Sequence, residues 1–199
     1  VQYCPFPFRV VDQMSDIGAI RAGGSQYERM LTSVATPTAT VPKTAYSKIY
    51  KIAGRIHLVL DNLNNLESKM DAVEFNQLKA ELLLLRAFIY DMGCQFYGDI
   101  PFIDHCLSLT DYEYARTPKA EVIDRILSDI PDDLLDNLPV QWPYSQWGTC
   151  RIGRATAYAL KAQINLNWGR YAEAARCSKI AMDLSDGVYA LEPLDITYY

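Results

Sequence analysis

The stretch LNWGRYAEAA, residues 166–175, decides the fold of this chain, because it predicts a tight turn between two helices. Glycine is favoured just beyond a helix end, and the short link Gly169-Arg170 forces the two helices into an antiparallel hairpin. The sequence therefore predicts helices over Ala155–Trp168 and Tyr171–Leu184. Small side chains let them approach closely: Ala155, Ala157, Ala159 and Ala162 are expected to face Ala172, Ala174, Ala175 and Ala181.

Three further helices are predicted upstream of this hairpin. Apolar residues recur at steps of three and four from Tyr46 to Leu63, which is one helical face and predicts a helix from Thr44 onward. A second helix is predicted from about Met70 to Tyr97, with Asp71 at its start. Its expected apolar stripe is Val73, Leu78, Leu82, Leu85, Ile89 and Met92.

Proline and glycine mark where these helices end and the next begins. Gly98 followed by Pro101 is a strong stop signal for the second helix. Thr117 as a cap and Pro118 at the first helical position predict the start of a third helix. It continues at steps of four from Val122 to Leu138, and Pro131 is expected to kink it.

The rest of the chain is predicted to be irregular. Residues 1–42 are rich in proline, glycine and threonine, which predicts a loop-rich N-terminal segment with a short helix around Val10–Ala19. Pro139–Gly153 is expected to be a loop. No strand-like alternation occurs, so the predicted fold is all-α. We expect a single domain over 1–199, with its helical core in 43–192.

Composition excludes several functions. The net charge of −5 and the isoelectric point near 5.0 give no basic field for nucleic acid. The apolar run ending at Leu85 is broken by Arg86, so no segment is predicted to cross a bilayer. The five cysteines are scattered without a CxxC pair and the two histidines lie far apart, so we expect neither a metal nor a cofactor. Buried free thiols are the preferred interpretation of the cysteines.

The sequence predicts a binding protein and no enzyme. It contains no Ser/His/Asp arrangement and no glycine-rich phosphate cradle. The pair Asp132-Asp133 offers two carboxylates, but neighbours on a helix point in different directions, so a solvated face is preferred. Arg86 has two interpretations, since an arginine in a leucine-rich helix needs a partner: an ion pair that ties two helices together, or contact with a ligand.

Aromatic residues give the candidate binding site. The chain has 14 tyrosines and 3 tryptophans against 6 phenylalanines. Sugar rings present C–H faces that stack on tryptophan and tyrosine. The candidate ligand-binding residues are therefore those in two predicted loops, with packing of the rings onto the helices as the alternative: Trp142, Tyr144, Trp147, Tyr112 and Tyr114.

Two resemblances follow from these motifs. Gly169, Tyr171 and Ala174 resemble the middle of a tetratricopeptide repeat. Over a longer span the chain resembles the SusD/RagB family in four segments that keep their order. These are AELLLLRAFIY with FYGDIPFI (80–90 and 96–103), RTP with a helix ending in LP (116–139), GRAT to GRYAEAA (153–175) and GVYAL (187–191).

The resemblance to SusD/RagB proteins implies a non-catalytic nutrient-binding lipoprotein on the outward-facing surface of the outer membrane of Bacteroidetes. It implies a tetratricopeptide-like fold, an oligosaccharide or peptide ligand, and a SusC-like TonB-dependent transporter as partner. Family members are more than twice this long, so the chain would correspond to their N-terminal half. The lipid-bearing cysteine is not recognisable, since Cys4 follows Val-Gln-Tyr, so the anchor is not visible in this chain.

The alternative is a tetratricopeptide scaffold that binds a protein or peptide. That hypothesis predicts further copies of the Gly-x-Tyr-x-x-Ala turn at a spacing of about 34 residues. One good copy occurs, which favours the nutrient-binding protein.

Overall fold

The computed structural model describes Thr36, Ala39, Thr110, Asp111 and the ranges 40–108, 113–143 and 151–186. These residues form α1 Thr40–Asn64, α2 Ala72–Tyr97, α3 Lys119–Ser128, α4 Asp132–Leu135, α5 Arg154–Asn167 and α6 Tyr171–Ser185, with a 3₁₀ turn at Glu67–Lys69. Within them the only β-type pairing is an isolated bridge between Ile100 and Thr117. The all-α prediction is confirmed. The helix predicted around Val10–Ala19 lies outside the described residues.

Helix α1 begins four residues earlier than predicted. It includes Pro42 in its first turn, where the missing amide hydrogen has no partner to lose. Its end agrees with the predicted apolar face, which runs to Leu63, since α1 stops at Asn64. Asn62 donates its side-chain amide to the carbonyl of Leu58, which shows the competition for backbone groups that weakens a helix there.

Helix α2 has the predicted ends but a different buried face. The Asp71 carboxylate accepts hydrogen bonds from the amides of Val73 and Glu74, and Gly98 ends the helix with a φ of 72°. Of the predicted stripe, however, Val73 and Leu85 are exposed. The buried face is broader, because α1, α3, α4 and α5 all contact α2. It comprises Phe75, Ala80, Leu83, Leu84, Arg86, Ala87, Ile89, Tyr90, Asp91, Gly93 and Cys94.

The third predicted helix is divided into two. Pro131 does more than kink it: α3 ends at Ser128, and α4 begins after the proline, whose own backbone is extended. The predicted cap is also different. Thr117 pairs with Ile100 in the bridge, and the amide of Lys119 at the start of α3 donates instead to the Asp99 carboxylate at 2.9 Å.

Helices α5 and α6 form the predicted hairpin, with Gly169 at a φ of 75° in the turn. Ala155, Ala157, Ala162 and Ala174 are buried as expected and Ala181 is half-buried, whereas Ala159, Ala172 and Ala175 are exposed. Asp132 on α4 fastens the hairpin to the rest of the domain, since its carboxylate lies 2.7 Å from both Lys161 and Arg176. Asp133 is exposed, as the solvated-face interpretation expected, whereas Asp132 is half-buried and anchors the helices to one another.

Candidate functional site

A polar cleft of about 350 Å³ opens where α2, α3 and the segment after Pro101 meet. It presents three carboxylates, two guanidinium groups and one hydroxyl beside an aromatic ring. The lining residues are Arg86, Phe102, Asp104, Asp124, Arg125, Ser128 and Asp129. Such a set offers hydrogen-bond acceptors and donors at short range, which suits a ligand rich in hydroxyl groups.

The wall of this cleft is held by the segment that follows α2. Gly98 turns the chain, and Tyr90 on α2 then holds the segment that follows Gly98. The Tyr90 hydroxyl donates to the carbonyl of Ile103 at 2.8 Å and accepts from the amide of Ile103 at 3.0 Å. Burial raises the pKa of Tyr90 to about 12, so the hydroxyl keeps its proton. The neighbouring Phe102 ring packs on Tyr90 at 4.8 Å between centroids, and Arg125 covers it at 5.5 Å.

Arg86 forms the floor of the cleft. Its guanidinium donates to the Asp129 carboxylate at 2.6 Å, and the residue is only 6% exposed. The interpretation of Arg86 as a tie between two helices is thus what the structure shows, since the pair joins α2 to the end of α3. Asp129 itself is a third exposed and borders the cleft, so the pair is reachable from solvent on one side.

The rim carries a chain of three polar side chains. His105 contacts the Asp104 carboxylate at 2.9 Å through Nδ1 and the Tyr114 hydroxyl at 3.2 Å through Nε2. The hydrogen bond from His105 holds the pKa of Asp104 below its usual range, so this carboxylate is charged at neutral pH. Tyr114 is one of the predicted ligand-binding residues; it is exposed, and it connects through His105 to Asp104 of the cleft.

Trp142 has a different setting, at the base of the predicted loop. Its indole N–H donates to the carbonyl of Ile152 at 2.9 Å, and the Arg151 guanidinium lies 3.5 Å from its ring centre. Arg151 in turn pairs with Glu81 on α2 at 3.1 Å. Trp142 therefore closes the two ends of the loop onto the helices, as the packing alternative expected, and it is half-buried against the core.

Gly153 explains why the loop can close in this way. A side-chain carbon at Gly153 would lie 2.6 Å from the carbonyl oxygen of Val140, so only glycine fits there. The other predicted ligand-binding residues, Tyr112, Tyr144 and Trp147, lie outside the described residues. The sequence analysis did not predict the cleft, although Phe102 lies within the stretch FYGDIPFI (96–103) and Asp104 directly follows it.

Two of the described cysteines are buried and unreactive. Burial raises the pKa of the Cys94 thiol to about 12 and that of the Cys177 thiol to about 11, so both are protonated and poor nucleophiles at neutral pH. Cys94, Cys106 and Cys177 are free, and Cys106 is exposed. Among the described residues no three His, Cys, Asp or Glu side chains converge on a metal position, and no helix is long and apolar enough to cross a membrane.

The hairpin of α5 and α6, with its glycine–aromatic turn at Gly169 and Tyr171, is typical of tetratricopeptide-like helical proteins. A family model for SusD-like proteins, described as starch-binding and associating with the outer membrane, matches residues 9–166. The chain belongs to this family, and the resemblance to SusD/RagB proteins is confirmed.

Individual relatives agree with this assignment. The SusD-like protein P2 of Formosa agariphila is 29% identical over 136 residues, which cover 65% of this chain and 25% of that protein. A laminarin-binding SusD-like protein superimposes with a TM-score of 0.69 at 22% identity, covering 80% of this chain and 34% of the other. A SusD-like carbohydrate-binding protein from Bacteroides fragilis gives 0.75 at 15% identity, covering 89% and 34%. The chain thus spans a quarter to a third of the length of these relatives.

Proposed function

We propose that this chain is part of a non-catalytic glycan-binding protein at the outward-facing surface of the outer membrane, which delivers its ligand to a SusC-like TonB-dependent transporter. The observation that carries the proposal is the family match over residues 9–166, since that family is described as starch-binding and associated with the outer membrane. The laminarin-binding neighbour adds support for a glucan ligand.

The polar cleft supplies the chemistry that a sugar needs. The side chains of Asp104, Asp124 and Asp129 already accept one bond each from His105, Arg170 and Arg86. An ionised carboxylate has about four acceptor sites, so each retains capacity for sugar hydroxyls without losing its protein partner. The hydroxyl groups of a neutral sugar donate to these carboxylates and accept from Arg125, which gives a paired set of hydrogen bonds.

The aromatic loop residues complete the proposed site. Tyr114 lies exposed by the cleft rim, and we propose that its ring and those of Tyr112, Tyr144 and Trp147 stack on sugar faces. Trp142 stays a proposed contact, but its first role is to close the loop, because its N–H and one ring face are already engaged.

The test is titration of the complete protein with laminarin oligosaccharides, starch oligosaccharides and short peptides. Binding is measured by calorimetry and by tryptophan fluorescence. Asp104→Asn removes one acceptor charge at the cleft and is expected to weaken glycan binding about tenfold, the size of one hydrogen bond to a charged group. Asp183→Asn is the matched control, since Asp183 is an equally exposed carboxylate on α6. It should leave affinity unchanged.

The tryptophan variants separate the two loop roles. Trp147→Ala is expected to weaken binding, and Trp142→Ala should lower stability because its ring packs on the core. If glycans change neither the calorimetric heat nor the tryptophan fluorescence while peptides give saturable changes, the protein captures peptides and the glycan proposal is wrong. If glycans bind but Asp104→Asn matches the Asp183→Asn control, the ligand lies elsewhere on the protein. Co-purification with a TonB-dependent transporter from outer membranes tests delivery.

A further inference from the structure

The segment between α2 and α3 leaves the rim of the cleft and returns to it as a loop with two arms. At the base of the loop Ile100 pairs with Thr117 in the isolated bridge. Toward its tip the Asp111 carboxylate accepts hydrogen bonds from the amide and the hydroxyl of Ser108, both at 2.8 Å. Side chains on the outgoing and the returning arm can therefore meet.

His105 is a side chain that joins the two arms. Its Nδ1 atom lies 2.9 Å from the Asp104 carboxylate on the outgoing arm, and its Nε2 atom lies 3.2 Å from the Tyr114 hydroxyl on the returning arm. An ionised carboxylate only accepts hydrogen bonds, so Nδ1 carries the proton, and in the neutral ring Nε2 then accepts from the tyrosine. One imidazole ring thus orients both a carboxylate that borders the cleft and an exposed aromatic ring.

This contact leaves both partners of His105 available to a ligand. The planes of the His105 and Tyr114 rings are inclined by 50° with their centres 6.3 Å apart, so the imidazole meets the tyrosine at its hydroxyl end and does not stack on its face. The Asp104 side chain is 57% exposed, and a carboxylate has acceptor sites beyond the one that His105 uses. The hydroxyls of a sugar can therefore donate to Asp104 while a sugar ring of the same ligand packs on Tyr114.

We propose that His105 is a positioning residue for glycan capture, which holds Asp104 and Tyr114 in the arrangement in which one oligosaccharide contacts both. This role rests on the proposed function, since it takes the cleft and the Tyr114 ring as parts of the glycan site. A ligand loses affinity for every side chain that it has to order on binding, and side chains that already order each other avoid that loss. An untethered Asp104 or Tyr114 could still touch the glycan, but the glycan would bind less tightly.

The test separates the two bonds of His105 in the complete protein, with laminarin oligosaccharides titrated in a calorimeter. His105→Ala removes both bonds. His105→Asn keeps an amide nitrogen at the place of Nδ1 and retains the bond to Asp104, whereas His105→Gln keeps an amide at the place of Nε2 and retains the bond to Tyr114. Lys179→Ala is the matched control, because Lys179 belongs to an equally exposed ion pair on α6.

We expect His105→Ala to weaken glycan binding about tenfold, because the ligand then has to order two side chains. His105→Asn and His105→Gln should each bind about threefold more tightly than His105→Ala, and the control should bind like the wild-type protein. Tyr114→Phe keeps the ring and loses the hydroxyl, so it should match His105→Asn, and combining the two should add nothing. The Tm of these variants should stay within about 2 °C of the wild type, because exposed polar pairs contribute little to stability.

A purely structural role of His105 predicts a different pattern. If His105 only closes the loop, His105→Gln restores full affinity while His105→Asn binds like His105→Ala, and the positioning role is wrong. A fall in Tm of more than about 5 °C that accompanies the loss of affinity overturns it as well. A wild-type protein that binds no glycan refutes the proposed function itself, whereas glycan binding that His105→Ala leaves unchanged refutes the role of His105 alone.

Discussion

The ion pair between Arg86 and Asp129 gives an asymmetric prediction about stability. Arg86 is 6% exposed, whereas the Asp129 side chain is 32% exposed. Removing one partner of a buried pair costs about 3–5 kcal/mol when the remaining charge stays buried. Asp129→Ala leaves the Arg86 guanidinium buried without its partner, and within the described residues its Nε has no hydrogen bond to compensate. We expect a loss of about 3 kcal/mol, the lower end of that range, because Asp129 is partly solvated.

The reverse substitution is expected to be milder. Arg86→Met replaces the buried cation with an apolar side chain of similar length, and the Asp129 carboxylate that remains can be hydrated from the cleft. The expected loss is about 1 kcal/mol, as for a partly exposed pair. In Arg86→Met/Asp129→Ala the second change should add little, since the partner is already gone.

The measurement is urea denaturation followed by far-ultraviolet circular dichroism, with a thermal scan as a check. A loss of about 3 kcal/mol corresponds to a fall in Tm of about 6–12 °C for a domain of this size. The reasoning is refuted if Arg86→Met costs as much as Asp129→Ala, because the guanidinium would then contribute packing or bonds that the exposure difference does not capture.

Three further predictions concern single positions. Burial and the charge of Arg86 lower the pKa of His57, while Asp104 and Asp61 oppose that shift. The unfolded chain therefore binds more protons than the folded one, so the free energy of unfolding should fall as pH drops below about 6.5. Urea midpoints at pH 7 and pH 5 check this, and His57→Leu should lose that part of the pH dependence. Gly98→Ala should cost about 1–3 kcal/mol, because a φ of 72° with a ψ of −124° lies outside the regions that alanine readily adopts. Its control, Gly54→Ala in mid-helix with free space around the added carbon, should instead raise the free energy of unfolding by about 0.5–1 kcal/mol. Asp71→Ala should cost about 1 kcal/mol through loss of two capping bonds, and Asp71→Asn should restore most of that stability. Equal stability of the wild-type protein and Asp71→Ala would show that the cap contributes nothing.

Local signals predicted where the helices end, because those signals act over a few residues. Asp71 accepts hydrogen bonds from the first amides of α2, and Gly98 and Gly169 take positive φ, all as the sequence indicated. Pro131 shows the limit of such signals. A proline predicts a disturbance, but whether the helix bends or stops depends on what the next segment packs against. Here Leu135 and Leu138 are fully buried after the break.

Long-range contacts decided what the sequence pattern did not predict. Four neighbouring leucines cannot share one face of a helix, and only the positions of the other helices select Leu83 and Leu84 as buried over Leu85. The cap of α3 comes from Asp99, twenty residues before Lys119. In the same way the cleft joins groups from separate elements, Arg86 from α2 and Asp129 after α3, which no spacing rule connects.

The family stretch around Gly98 can now be given a physical meaning. Tyr90 on α2 holds Ile103, Asp99 caps α3, and Thr117 pairs with Ile100, so one short segment sets the position of α3 relative to α2. The same placement brings Asp129 to Arg86 and creates the cleft that Asp104 borders. Substitutions in this segment should therefore affect stability and ligand binding together. Substitutions of Leu166, Tyr171 and Met182, which are exposed on α5 and α6 and do not line the cleft, should leave glycan affinity unchanged.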